Sequence, residues 1–456
     1  MRLLLLVEES TIDNALKNKP PNLSHELNLL AIARAALARG FKINVQQKGD
    51  VFCRSSRFFE LIAVDGKLLR LNKTSRHNLN YDLIVSCFLD ALAGAKILYP
   101  AAKNICMIPA LYFVENPTIW RNDHWINSAN SLRNDVDIIT FQNFRMKEIA
   151  FPFYHLMSRW VRKDRMLIAP LGPEKIQIPS NNQRSSARYD LGFKDDDIVI
   201  LNAGGVYKWT DFLSFLTAFL NYVEAGNTKL KLILPGLKQK QNSDHDEYLK
   251  EVMTIISEKK TAFESNVYYE PNWDIASLNM EKYLEASDIG LNVNSDGLEN
   301  WQSHRVRCVE YLSRGMPFIT TDGDLHANFR GKNGVFVVQS ENLKSYHKVF
   351  DLLIDGRRIA DAKLKVKKYS ESMLQDKVYK ELLDQIISTS NEPREKYVSG
   401  QHVLASSKRG LGLIKFLLKR FLTISRLMRR IPVLKKLDRM IRSYPSVRSF
   451  IDREML

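Results

Sequence analysis

The sequence predicts an α/β fold of two doubly wound halves, each a mostly parallel sheet covered by helices, followed by a basic helical tail. Three observations carry this reading. Short apolar runs of strand length alternate with helical patterns through most of the chain, the mark of parallel βαβ units. The alternation restarts near Asp197, and 456 residues suit two domains plus extras, since a domain usually takes about 100–200 residues. Finally, the net charge of +16 is concentrated at one end: Gln401–Leu456 carries 14 Lys/Arg against 3 Asp/Glu.

An apolar content of 45% and a charged content of 26% are ordinary for a soluble globular protein. Cys53, Cys87, Cys106 and Cys308 have no paired spacing, so neither a zinc site nor a disulfide framework is indicated, and a reducing cytoplasm fits best. The apolar run of Met1–Val7 is short for a signal-peptide core and reads as a first buried strand. No run reaches the roughly 18 apolar residues of a membrane span.

In the first half, taken as residues 1–170, Arg2–Val7 is expected as a strand and Ser24–Arg39 as a helix closed by Gly40. Phe41–Gln46, Tyr81–Phe88, Asn104–Pro109 and Asp137–Phe141 follow as strands. Asn143–Phe151 is a helix, and Met166–Pro170 the last strand. The first strand-to-helix connection, Glu8–Leu23, holds Pro20-Pro21 and no glycine. That argues against a dinucleotide bound by this half. Asn181–Arg188 reads as a polar linker.

The second half, taken as 185–365, opens with the strand Asp197–Leu201. Asn202-Ala203-Gly204-Gly205-Val206-Tyr207-Lys208-Trp209-Thr210-Asp211 then leads into a helix over Phe212–Ala225. Paired glycines after a strand let the backbone approach a diphosphate, and the amides at a helix start favour its charge. A tight turn without ligand is the plain alternative. Lys229–Leu234 and Phe263–Tyr269 are expected strands, and Ser277–Ala286 a helix.

The most informative stretch runs from Tyr283 to Asp324. Asp288–Val293 has the length of a buried parallel strand. The polar loop Asn294–Gln302 then opens a helix near Ser303, a usable N-cap. That helix stops at Gly315, with Pro317 just beyond. Phe318–Thr321 is the next strand and Asp322-Gly323-Asp324 the loop after it. Open α/β sheets bind ligands outside the carboxyl ends of their strands, so both polar clusters fall on the ligand side. Gly334–Val338 is a late strand, Asn342–Asp355 a helix, and Ala362–Ile387 a last long helix, with 366–390 returning toward the first half.

The run Val309-Glu310-Tyr311-Leu312-Ser313-Arg314-Gly315-Met316-Pro317-Phe318-Ile319 resembles the donor-binding signature of retaining GT-B glycosyltransferases of the family-4 kind. The stretch from Gly204 to Asp211 is similar to that family's paired-glycine loop. The resemblance covers about residues 1–390, specific in the second half and topological in the first. It implies a nucleotide-diphosphate sugar as donor, UDP-, GDP- or similar, and no bound metal or other cofactor. It puts Glu310 on the ribose hydroxyls, where an ordinary helix-surface pair with Arg307 or Arg314 is the bland reading. The first Glu of the family's pair falls on Gln302, and Glu299 is the nearest substitute, assigned to the sugar hydroxyls. The family's Arg and Lys of the glycine loop fall on Gly205 and Thr210. Lys208, Arg305 and Arg307 are therefore the candidate cations for the departing diphosphate, with Lys238 behind them. Glu115, Asn116 and His124 of the first half are candidates to face the acceptor.

The tail, 408–456, is amphipathic. Leu411, Ile414, Leu417, Leu418, Phe421, Ile424, Leu427, Met428 and Ile431 share one face, with Lys415, Lys419, Arg426 and Arg430 opposite. Such a helix suits an anionic membrane surface. A partner protein or the enzyme body is the alternative, and nucleic acid is not expected. The expectation is a cytoplasmic transferase, peripheral on the inner membrane face, that builds a glycan on a lipid-linked or growing acceptor. Its rivals are a catalytically silent scaffold and a different GT-B enzyme, an inverting transferase or an epimerase.

Overall fold

In the computed structural model the described residues are 1–16, 24–48, 58–64, 67–74, 80–108, 136–148, 150–151, 163–238, 243–297, 300–301, 304–329 and 333–389. The first half contains β1 (Arg2–Val7), α1 (Glu9–Leu16), α2 (Ser24–Ala38), β2 (Lys42–Gln47), β3 (Phe58–Val64), β4 (Lys67–Thr74), β5 (Leu83–Ser86), α3 (Leu89–Leu98), β6 (Lys103–Ile108), β7 (Ile138–Phe141) and β8 (Met166–Ile168). The strands form one sheet in the order β4-β3-β2-β1-β5-β6-β7-β8. It is parallel except at β2–β3 and β3–β4.

The Leu3–Val7 run explains why β1 is central. Leu3, Leu5 and Val7 enter one core with Ile32 and Ala36 of α2. Leu4 and Leu6 enter the opposite core with Leu92 of α3. A strand covered on both faces needs apolar residues at every position.

The second half contains α4 (Asn181–Asp190), β9 (Ile198–Leu201), α5 (Phe212–Glu224), β10 (Leu230–Lys238), α6 (Ser243–Glu258), α7 (Lys260–Asn266), β11 (Val267–Asn272), α8 (Trp273–Leu278), α9 (Met280–Ala286), β12 (Ile289–Asn292), α10 (Val306–Ser313), β13 (Phe318–Thr321), β14 (Phe336–Val338), α11 (Leu343–Ile354), α12 (Gly356–Ser372) and α13 (Gln375–Ser388). Its sheet is parallel throughout, in the order β11-β10-β9-β12-β13-β14. Phe212, Phe215 and Phe219 of α5 pack with Phe350 on one face. Tyr283, Tyr311 and Leu312 pack on the other, against Val199, Leu201 and Phe318.

Helix α13 returns to the first sheet. Its Tyr379, Leu382, Leu383 and Ile386 join the α2 side of that core, and the Tyr379 hydroxyl donates to Asn28 Oδ1 at 2.6 Å. Met1–Ile386 make up one compact unit. No helix among the described residues is long and apolar enough to cross a membrane.

Several expectations need correcting. Residues 181–188 belong to a helix, because Ser180 and Gln183 form a capping box. Arg188, fully buried, also ties α4 to Asp288 and to the carbonyls of Ala286, Lys194, Asp195 and Asp197. Residues 260–266 are helical, so the strand expected from Phe263 begins at Val267. The helix expected over Ser277–Ala286 breaks at Asn279, which ends α8 and precedes α9. The last long helix breaks at Met373, between α12 and α13. Arg305, not Ser303, holds the N-cap position of α10, without a side-chain cap bond. Ser303 lies outside the described residues.

Candidate active site

In the second sheet the strand order reverses between β9 and β12, and ligands of open α/β sheets bind at such switch points. The glycine loop leaves β9 at this point. Its shape is held by Asn202, whose Nδ2 donates to the Gly204 carbonyl at 2.9 Å while the Gly204 amide donates to the Asn202 carbonyl at 2.8 Å.

Arg307 holds the loop from the side. Its guanidinium donates to Asn202 Oδ1 at 3.0 Å and to the Gly205 carbonyl at 3.2 Å. Burial, with help from the Arg305 charge, pulls its pKa below the ordinary value, against Tyr311. Gly204 and Gly205 fit because a β-carbon would meet Arg307 Nη2 at 3.0 Å in the first case and the Tyr207 ring at 2.7 Å in the second. Tyr207 itself stacks on Trp209, with ring centroids 4.4 Å apart.

Tyr311 fastens the loop to the strand ends. Its hydroxyl accepts from the Ala203 amide at 2.9 Å and faces the carbonyls of Leu201 and Leu291 at 2.9 and 3.0 Å. Its ring fills the space over Gly290, where a β-carbon would lie 2.4 Å from ring carbon Cδ2.

Glu310 follows Arg307 by one turn of α10 and is exposed. Surrounding protein raises its carboxyl above the usual range; Arg314 opposes the shift and Glu281 adds to it. Arg314 pairs with Glu281 rather than with Glu310. Gly315 ends the helix in the left-handed region at φ +59°, with the Met316 amide returning to the Tyr311 carbonyl at 2.9 Å.

The candidate cations part company. Arg305 is half-buried at the start of α10, and its charge is felt at both Arg307 and Asp324. Lys208 is exposed and lines a separate hollow with Asp211, Tyr248, Glu251 and Ser295. Lys238 closes β10, and its side chain lies outside the described residues, as do Glu299, Gln302, Glu115, Asn116, His124 and the whole of 408–456.

Beyond β12 and β13 lies a buried polar cluster that takes in Thr320 and Asp324 of the expected ligand-side stretch and adds Asn292, His304 and His326. Asn292 Nδ2 donates to Asp324 Oδ2 and to Thr320 Oγ1, each at 3.2 Å. The rings of His304 and His326 meet edge to face at 5.2 Å. Among the described residues, neither ring nitrogen of His304 finds a hydrogen-bond partner. Burial drives both imidazoles down, His304 to about 3 with His326 adding to it, and His326 to about 4 with Arg145 adding to it. Both are therefore neutral. No group of three His, Cys, Asp or Glu is placed to hold a metal among the described residues.

Arg145, Tyr311 and Asn202 are the residues sequence reasoning missed. Tyr311 had a signal, since a glycine inside a strand often marks close approach. Asn202 and Arg145 had none.

No protein-family model and no curated protein matches the chain. Solved structures do. Anabaena HepE, in complex with UDP-glucose, superposes with a TM-score of 0.58 at 12% identity, over 86% of this chain and 100% of that one. A glycosyltransferase from Rickettsia africae gives 0.57 at 9% identity, over 85% and 99%. Sucrose-phosphate synthase from Thermosynechococcus elongatus gives 0.56 at 13%, over 85% and 98%. At such identities the likeness is one of fold, and the fold is GT-B.

Proposed function

We propose that the chain is a glycosyltransferase that moves a sugar from a nucleotide-diphosphate donor to a hydroxyl of a glycan or lipid-linked acceptor, with retention, in surface polysaccharide or glycoconjugate assembly. The observation that carries this reading is the glycine loop at the β9/β12 switch point, gripped by Arg307 one helical turn before Glu310. The fold shared with HepE, which is solved with UDP-glucose, supports a UDP-, GDP- or similar donor.

In this reading the backbone at Gly204 and Gly205 approaches the diphosphate. Arg307 fixes that backbone, and Arg305 offsets the charge that grows on the leaving group; Lys208, which lines a different hollow, would have to turn toward the loop to share that role. Glu310 accepts from the ribose hydroxyls, and Glu299 from the sugar. The transition state is oxocarbenium-like, as in glycoside cleavage. The protein's work is to hold both reactants and stabilise the departing phosphate with charges already in place. The tail at 408–456 rests on anionic lipid at the inner membrane face, where each Lys or Arg near the surface contributes about 1 kcal/mol.

The test is a thermal-shift screen against a panel of nucleotide sugars, with Glu310→Ala as control. A donor that protects the wild type and not the variant is expected; protection by none would sink the reading. Truncation after Ser407 is expected to move the protein off phosphatidylserine vesicles, and unchanged partitioning would remove the lipid role. A second reading, a silent scaffold, is favoured by Gly205 and Thr210 standing where the family has Arg and Lys. Transfer of labelled sugar excludes it, and the anomer of the product separates retention from inversion.

A further inference from the structure

Arg145 belongs to the first half yet is bonded to the second. It sits in the helical segment 144–148 just after β7, where Asn143 caps the turn by accepting from the Met146 amide at 2.9 Å. This is the carboxyl edge of the first sheet. From there the guanidinium donates to the Trp301 carbonyl at 2.9 Å and to the Gly323 carbonyl. It also stands over the Trp301 ring, 5.1 Å from its centroid. Trp301 lies on the loop after β12 and Gly323 on the loop after β13, so one side chain reaches both donor-side loops at once.

The side chain is 4% exposed, and Asp322 and Asp324 supply the nearest opposing charge. A guanidinium stripped of water is tolerated only with hydrogen bonds and counter-charge in place, and the Trp301 and Gly323 carbonyls, with Asp322 and Asp324, supply both from the other half. Both bonds leave one nitrogen, Nη1, whose two hydrogens are fixed in the guanidinium plane, while the same plane lies over the Trp301 ring; a lysine ammonium offers a point charge without that flat face. Separating the halves would return the guanidinium to water and leave both loops without this support.

We propose that Arg145 is a positioning residue that couples contact between the two halves to the placement of the loops after β12 and β13, so that the donor site is complete only when the first half is docked against them. This inference rests on the proposed transferase reading for its catalytic consequence, but not for its structural one.

Two arms test it. In ligand-free protein, Arg145→Met is expected to raise amide hydrogen exchange at least tenfold in segments 292–297 and 320–326, leaving 198–206 unchanged; Arg145→Lys should fall between. In turnover with whichever nucleotide sugar protects the wild type, kcat is expected to fall tenfold or more in Arg145→Met. Affinity for the bare nucleoside diphosphate, held on the β9 side, should change less than threefold. Trp301→Leu, which removes the ring and keeps both carbonyls, should reproduce part of each effect should Arg145→Met fold poorly. Wild-type exchange at both segments in Arg145→Met and Trp301→Leu would overturn the proposal. So would equal loss of kcat and diphosphate affinity. A wild type that binds no nucleotide sugar ends the transferase reading alone, because the exchange arm still reports on Arg145.

Discussion

Arg307 lies so close to Gly204 that a β-carbon there would meet its guanidinium at 3.0 Å, and the same guanidinium bonds Asn202, two residues before it, and Gly205, just after it. The loop and the arginine therefore define each other's position. Because two acceptors are fixed in space, a point charge is a poor substitute for the fork.

Arg307→Lys is accordingly expected to lower donor protection in thermal shift about tenfold in apparent affinity. The cost in stability is about 1.5–3 kcal/mol, the scale of hydrogen bonds lost at a charged group. Gly205→Ala is expected to displace Tyr207 from Trp209 and abolish protection. An Arg307→Lys variant with wild-type donor affinity would show that the arginine only packs against the loop.

Tyr311 answers a different question, how the loop is tied to the sheet. Removing its hydroxyl takes the acceptor from the Ala203 amide and the single donated proton from the Leu201 and Leu291 carbonyls that share it. Tyr311→Phe should cost about 1–3 kcal/mol, read as a lower urea midpoint at unchanged slope. Gly290→Ala should cost a comparable amount by overpacking. Combined with Tyr311→Ala, it should cost much less than the two singles added, since the vacated ring space accepts the methyl.

The sequence carried the parts of this arrangement that repeat a local pattern. Leu3–Val7 announced a strand buried on both faces, and Gly315 with Pro317 announced the end of α10. The Asp65-Gly66 pair between the apolar runs that became β3 and β4 was a readable hairpin signal, overlooked because the parallel pattern dominated its surroundings. Asn181–Arg188 looked like linker since its composition is polar, although Ser180 with Gln183 is a helix-start signature. Arg145 could not be read at all. Its partners are backbone carbonyls of Trp301 and Gly323, more than 150 positions away along the chain, and carbonyls leave no trace in a sequence.

Glu310 offers a separation of binding from folding. Its carboxyl is held above the usual range, chiefly by surrounding protein. A raised carboxyl favours the fold below its unfolded pKa, and that contribution fades as pH rises through the folded value. Glu310→Gln should therefore leave the melting temperature at pH 7.5 unchanged or slightly higher. Donor binding needs the ionised form, so wild-type affinity should begin to fall, on acidification, above the ordinary carboxylate range. In Glu310→Gln the affinity should be low and flat with pH. A variant that keeps the wild-type pH profile would assign that titration to another group.

The neutral histidine pair predicts how the protein fails in acid. His304 and His326 are held near 3 and 4 by burial, whereas an unfolded histidine takes up its proton near 6.5. The sign follows from which state binds more protons. Above about pH 6.5 neither state does, and the pair leaves stability unchanged. As pH falls below that, the unfolded chain gains protons that the folded one refuses, so stability drops until the folded values are reached. The steepest loss, between roughly pH 5.5 and 4, is about 1.4 kcal/mol per pH unit for each histidine. Urea midpoints for wild type and His304→Gln, compared across pH 4.5–7.5, isolate the effect from the carboxylates common to both. The difference between them should shrink as the pH is lowered, by one proton's slope. A difference that stays constant with pH would mean that His304 takes up its proton in the folded protein, and that the cluster beyond β12 and β13 is open to water.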